Sequence, residues 1–283
     1  MVVSFSIGSV VHSIILFWIV CCLYLLGWLL CAFSFFRDWA RLHRSGEFIL
    51  LSGLAVHLPY AGFRFFRPQF SPFYTVAGLL LVLSLLVAIV YFLLDYLYRK
   101  EIFEIVFPPL AVFFLILSNL PIHQSVVDSQ FINESTNLYK AMLFSHAFCS
   151  MLGYLLFGVA CFPSIFFLSQ EKKIKTKRLL LADAKVPSLG FLDRLNHRIL
   201  SSGFLFLSVG LLVGTGMKLT AGDGYEGVTL RQVIPFCTWL FYALFLFDRF
   251  LRGLQGKVTA IMAIFGFSAA LLSFLYEMLV LTA

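Results

Sequence analysis

Charge is what this sequence has least of. Only 12% of its 283 residues are Asp, Glu, Lys or Arg, where a soluble domain of that length carries roughly a quarter. Almost no chain is left from which to build a soluble domain. Cysteine spacing is equally uninformative. Cys21, Cys22, Cys31, Cys149, Cys161 and Cys237 contain no C-x-x-C pair and fall in or near apolar segments. They read as small buried hydrophobes rather than as a redox or zinc motif. The sequence has no H-E-x-x-H, no G-x-S-x-G, no glycine-rich phosphate loop and no paired intramembrane aspartates, so the common hydrolytic and phosphoryl-transfer signatures are missing. No internal repeat points to an inverted-repeat transporter. The expectation is a protein that is not an enzyme.

What the sequence has in excess is apolar surface: 61% hydrophobic residues, 34 of the residues being phenylalanine. That composition predicts an all-α, polytopic membrane helix bundle forming a single integral-membrane domain over residues 1–283. Runs long enough to cross a hydrocarbon core occur eight times, near 8–36, 47–65, 73–97, 102–118, 141–168, 199–219, 233–251 and 258–281. The first is too long and too aromatic for a cleaved signal peptide and reads as a retained helix. Pro59 interrupts the second run and Pro108-Pro109 the fourth; membrane helices tolerate proline when neighbours satisfy the freed carbonyl.

Sixteen of the 21 Lys and Arg residues lie in the loops after spans one, three, five and seven. By the positive-inside rule those loops are cytoplasmic and both termini face outward. This placement accounts for the net charge of +7 without any nucleic-acid partner. The longest charged connection, 171–198, opens with Lys172, Lys173, Lys175, Lys177 and Arg178, a run suited either to setting topology or to gripping anionic lipid headgroups. Further on, Leu189, Leu192 and Leu195 predict a short amphipathic helix on the membrane surface before span six. The outer loop 119–140 holds the formal glycosylation triplet Asn133-Glu134-Ser135, which reads as chance.

Ionisable groups at membrane depth are costly, so an intramembrane histidine is a functional-site hypothesis. Two qualify. His57 falls near the middle of span two, beside Pro59, which withholds a hydrogen bond from the carbonyl of Ala55. Ligation or proton handling and a satisfied structural role are both open to it. His146 opens span five within about two turns of the outer end. It shares a face with Ser150, Gly153 and Phe157, with Cys149 and Tyr154 alongside. It reads either as a ligand or as a side chain bonded to a neighbouring helix or headgroup. His12, His43, His123 and His197 fall at span ends or in loops and read as interfacial. Asp95, Glu104 and Glu277 also lie near span ends, with Glu277 worth testing by mutation. Span six carries Gly210 and Gly214, the small-x-x-x-small spacing of close helix packing.

In order along the chain, His57, His146 with Tyr154, Pro187-Ser188-Leu189, Leu192-Asp193-Arg194-Leu195-Asn196, Gly203…Gly210…Gly214-Thr215-Gly216, Trp239-Leu240-Phe241-Tyr242 and Gly253-Leu254-Gln255-Gly256-Lys257 resemble the cytochrome c assembly superfamily. The resemblance is to its HemX-type and YpjD-type members, which are related to CcsA-type haem-handling proteins. It implies a protein of a bacterial-type inner membrane that binds or presents haem. His57 and His146 would be candidate haem contacts, the glycine-lined helices five and six would form the cleft, and haem iron would be the only metal. Other cytochrome c assembly or haem-synthesis proteins are the implied partners. The alternative is a haem-free scaffold or regulator that acts on a partner through the basic 171–198 loop. Two departures from the family stand out. Phe247 occupies the place where span seven would supply a histidine, and 220–231 replaces the tryptophan-rich outer segment. Without those partners the chain does not offer the family's own bis-histidine ligation, although a single histidine suffices to hold haem iron.

Overall fold

A computed structural model describes residues 7–37, 39–66, 75–120, 136–176, 187–221 and 230–282; for 7–11, 36, 219–221, 230–231, 273–274 and 276–282 only the backbone is described. Among the described residues eight helices follow in order: α1 Ile7–Arg37, α2 Ala40–Phe65, α3 Val76–Tyr98, α4 Ile102–Leu117, α5 Asn137–Lys175, α6 Leu189–Ala221, α7 Leu230–Arg252 and α8 Lys257–Thr282. No strand occurs among the described residues. They match the eight apolar runs one for one. Six are long and apolar enough to cross a membrane, while α4 and the apolar stretch Lys257–Leu272 of α8 are shorter. At 1.5 Å per residue, the 16 residues of α4 reach about 24 Å, short of a ~30 Å hydrocarbon core.

The chain folds as two compact units, Met1–Ser129 and Gln130–Ala283. In the first, α1 packs on α2 and α4, and α3 on α4 and α2. Its core holds Val20, Tyr24, Leu50, Tyr60, Leu81, Phe107 and Leu115. In the second, α5 packs along α6 and α8, and α7 against α8 and α6. Phe157, Leu200, Leu207 and Tyr242 are fully buried there. Large apolar side chains also cover the outer surface, among them Trp18, Leu29, Phe113, Leu212, Leu244 and Phe250. Their exposure is what a lipid-facing surface requires, and in water it would be a liability.

The prolines are accommodated rather than avoided. Pro108 and Pro109 sit inside α4. Pro109 has no N–H to offer the carbonyl of Ile105, four residues back. The indole Nε1 of Trp28, on α1, donates to that carbonyl at 2.8 Å. Ser84 Oγ of α3 donates to Ala111 O, six residues further on, at 2.8 Å. Side chains from two neighbours thus tie down the weakened stretch of α4, as a proline in a membrane helix demands. Thr75 and Thr136 cap α3 and α5, their hydroxyls accepting from Gly78 N and Tyr139 N.

Two expectations change. The segment 187–195 does not lie on the membrane surface as a separate helix: from Leu189 it is the first part of α6. Leu192 and Leu195 are each only 2% exposed, and Leu192 packs with Phe167 and Ala260. The apolar face thus meets protein, not lipid. The cysteine reading holds for Cys21, Cys31 and Cys161, which are buried, whereas Cys22 and Cys237 are exposed. The triplet at Asn133, His123, Lys177, Arg178 and the 222–229 loop lie outside the described residues, as does the side chain of Glu277.

Candidate functional site

His57 is fully enclosed on α2. Its Nδ1 lies 3.2 Å from the hydroxyl of Tyr24, on α1, with the two rings edge to face at 5.8 Å between centroids. Gly53, one turn earlier, leaves the room: a Cβ there would press on Tyr24. The other ring nitrogen, Nε2, is buried and has no hydrogen-bond partner among the described residues. A buried polar atom left without a partner is uncommon and calls for an explanation. If Nδ1 donates to the Tyr24 oxygen, Nε2 presents a bare lone pair.

Seven residues and two turns along the same face of α2 comes Arg64, also buried. Its guanidinium donates to Ser13 Oγ at 2.9 Å and to Asn119 Oδ1 at 2.8 Å, and it stands over the ring of Tyr60. Tyr60 donates to the same Asn119 oxygen at 3.2 Å. Neither Arg64 nor Tyr24 stands out in the sequence. The available signal was spacing: His57, Tyr60, Ala61 and Arg64 fall at i, i+3, i+4 and i+7.

His146 belongs to the second unit and His57 to the first; each is described within its own unit. His146 Nδ1 is 2.7 Å from the carbonyl of Gly210, on α6. A carbonyl only accepts, so Nδ1 carries the proton and Nε2 of the neutral ring carries the lone pair. This is the arrangement in which an imidazole ligates a metal through one nitrogen while its other is fixed by a carbonyl. The alternative that the ring bonds a neighbouring helix is therefore realised, and it leaves ligation open.

The glycines are used differently from the expected cleft. A Cβ on Gly214 would strike the His146 ring at 2.6 Å, and one on Gly210 would collide with Ser150 Oγ. Gly153 lies against the backbone of Leu207 and Gly203, and Gly203 against Phe157. These positions bring the α5 and α6 backbones together rather than apart. Behind them Phe157 stacks on Tyr242 of α7, centroids 3.7 Å apart. Since α5 begins at Asn137, His146 lies about two and a half turns from its start.

The Leu192-Asp193-Arg194 pattern has a structural explanation. Asp193 Oδ2 pairs with Arg249 at 2.8 Å, while its Oδ1 accepts from Gly256 N and Thr259 Oγ1, each at 3.0 Å. One carboxylate thus joins α6 to α7 and to the start of α8. Gly256, at φ +75°, makes the turn that presents its N–H. Asn196 follows by donating to Ser164 on α5. Phe247, where a histidine was sought, is exposed. His197 is exposed, and His43 faces Glu47 and Glu104. At the end of α5 Lys172, Lys173 and Lys175 are exposed, Lys175 paired with Glu171 at 2.6 Å.

Three kinds of known protein are similar to this chain. The family model described as cytochrome c assembly protein matches residues 73–282. Cytochrome c biogenesis protein CcsA of Liriodendron tulipifera is 30% identical over 117 residues, which is 40% of this chain and 36% of the relative. CcsA of Prochlorococcus marinus is 40% identical over 76 residues, covering 27% of this chain and 24% of its own. The chain thus aligns with about a third or less of these curated relatives' lengths. Among solved structures, cytochrome c haem lyase CcmF superposes on 96% of this chain and 48% of its own with a TM-score of 0.64. At 16% identity that likeness is one of fold. The family model spans most of the multi-pass helical chain, and the protein belongs to the cytochrome c assembly family.

Proposed function

We propose that this protein handles haem in cytochrome c assembly, binding or presenting it without itself forming a covalent bond. His57 and His146 are the proposed iron contacts. The carrying observation is the bond from His146 Nδ1 to Gly210 O, which reserves Nε2 for a ligand. The buried, unpartnered Nε2 of His57 adds support. Haem, when bound, would supply a redox-active iron and two propionates; Arg64, two turns from His57, is the side chain type suited to a propionate. Tyr24 and Gly210 orient the two rings. The low charge, the family and the loop asymmetry favour a bacterial-type inner membrane with the basic loops cytoplasmic. There the Lys172–Arg178 run would meet anionic lipid or another cytochrome c assembly or haem-synthesis protein.

The test is the absorbance spectrum of the purified protein from haem-replete cells, before and after dithionite. A stoichiometric Soret band that His146→Ala or His57→Ala shifts or removes is the expected result. A colourless protein that takes up no added haemin overturns the proposal and leaves the HemX-like scaffold, whose phenotype would follow charge reversal along Lys172–Arg178. CcmF is named a lyase, so the purified chain is also incubated with haemin and apocytochrome. Covalent attachment there would overturn the non-enzymatic part.

A further inference from the structure

At the opposite end of the first unit from Arg64, side chains from α1, α2, α3 and α4 converge. Cys31 comes from the end of α1, His43 and Glu47 from the start of α2, Asp95 from the end of α3 and Glu104 from the start of α4. One ligand atom each from Cys31, His43 and Glu104 lie within 4.8 Å of one another, and the same holds for Glu47, Asp95 and Glu104. Cys31 and Glu104 are each only 2% exposed. These are not solvated surface charges.

The imidazole of His43 bridges the group. Its Nε2 is 3.3 Å from Glu47 Oε1, and its Nδ1 is 3.3 Å from Glu104 Oε2. A ring whose outer N–H meets a carboxylate has its other nitrogen free to ligate, the pairing that commonly supports a metal-bound histidine. Here that nitrogen, Nδ1, is buried and makes no hydrogen bond among the described residues. A second unpartnered group faces the same place. Tyr91 is 2% exposed, its Oη has no hydrogen-bond partner among the described residues, and it lies one turn before Asp95 on the same face of α3. Gly46 supplies the space, because a Cβ there would collide with Cys31 Sγ.

Three carboxylates and a thiol gathered here repel one another when ionised, and for the buried pair Cys31 and Glu104 a charge is costly unless it is paired. A divalent cation resolves both problems. We propose that Cys31 Sγ, His43 Nδ1 and Glu104 bind a zinc-class divalent ion, with Glu47 orienting His43 and Asp95 completing the acidic shell. Thiolate, imidazole and carboxylate together match Zn²⁺ rather than the hard ions Mg²⁺ or Ca²⁺. Tetrahedral bonding at about 2.0–2.3 Å sets ligand atoms about 3.4–3.8 Å apart, so the side chains need close only by about 1 Å. With thiolate and Glu104 ionised, the two negative ligands neutralise the ion. The site clamps α1, α2 and α4 at one end, with Asp95 and Tyr91 of α3 around it. Three protein ligands leave the fourth position to a water, and the site is independent of the haem reading.

The experiment uses the full chain in detergent, stripped with EDTA. Zn²⁺ is titrated in against a chromogenic chelator, and Co²⁺ is added separately as a spectroscopic probe. One Zn²⁺ per chain, a raised melting temperature and a thiolate-to-cobalt charge-transfer band are expected. Cys31→Ser abolishes the band, and His43→Gln abolishes stoichiometric Zn²⁺ retention. Glu47→Gln, at a half-exposed position that leaves the fold intact, weakens affinity about 10–100-fold. No retention against the chelator overturns the proposal. So does binding that is unchanged in all three variants, which would place the ion at exposed thiols such as Cys22 or Cys237.

Discussion

Single side chains carry the sharpest consequences in this protein. His146 is held by one carbonyl and flanked by one hydrogen atom, the Cα substituent of Gly214 that a methyl would replace. Gly214→Ala therefore drives the ring off Gly210 O. Overpacking of this kind costs about 1–3 kcal/mol. The expected outcome is a chain that still folds, with a lowered melting temperature and with haemin uptake reduced as far as in His146→Ala. Full uptake in Gly214→Ala would show that the ring's position does not matter. Asp193 is the residue on which the second unit most depends. Both of its oxygens are engaged and both it and Arg249 are largely buried. Removing one member of such a pair leaves an uncompensated charge, at about 3–5 kcal/mol. Asp193→Ala should lose most of the purified yield, and Asp193→Ala combined with Arg249→Met should recover part of it. If the double variant is no better than the single, the pair is not what couples these helices.

At the scale of the element, α4 is the helix most in need of support. It is short, carries two adjacent prolines, and depends on hydrogen bonds from α1 and α3. Trp28→Phe keeps the ring but withdraws the donor from Ile105 O. Interhelical hydrogen bonds in membranes average about 0.6 kcal/mol, and stranding a carbonyl raises that to about 1–3 kcal/mol. A drop in thermal stability larger than that of Trp18→Phe, an exposed tryptophan on the same helix, is expected. Equal drops would argue that Pro109 frees nothing that matters. Helix α5 poses the opposite case. Its 39 residues reach about 58 Å, far beyond a ~30 Å core, so its basic end must project past the apolar slab. Reversing Lys172, Lys173 and Lys175 to Glu should weaken attachment of anionic vesicles by about 1 kcal/mol per charge. Unchanged vesicle binding would leave those lysines a purely topogenic role.

At the scale of the whole molecule, the chain is a multi-pass helical membrane protein whose described helices divide between two compact units, α1–α4 and α5–α8. The charge asymmetry proposes an orientation, with the basic loops on the cytoplasmic side. Single cysteines placed at Lys172 and at Leu138, in a background lacking Cys22 and Cys237, should react with a membrane-impermeant maleimide from opposite sides. Labelling of Lys172→Cys in intact cells would invert the proposed topology. The likeness to CcmF extends over nearly the whole chain but only half of that structure, while the CcsA alignments cover shorter stretches. The likeness to CcmF is therefore one of helix order and packing.

The sequence by itself determined the helices, because hydrocarbon length and apolar composition leave a spanning chain no other regular structure. It also places His57 and His146 within apolar runs, since position in such a run is a local property. Partners are not local. That Tyr24 meets His57, that Gly210 accepts from His146, and that Asp193 reaches Arg249 and Thr259 depended on which helix faces which. The spacing Gly210–Gly214 announced a close approach without naming Ser150 and His146 as what approaches. Segment 189–195 shows the limit from the other direction: an amphipathic stripe reads the same against lipid as against Phe167 and Ala260, and only packing decides between them. Likewise His43 and Glu104, each ordinary at a helix end, became a cluster with Cys31 because the tertiary structure brings three helix ends to one point.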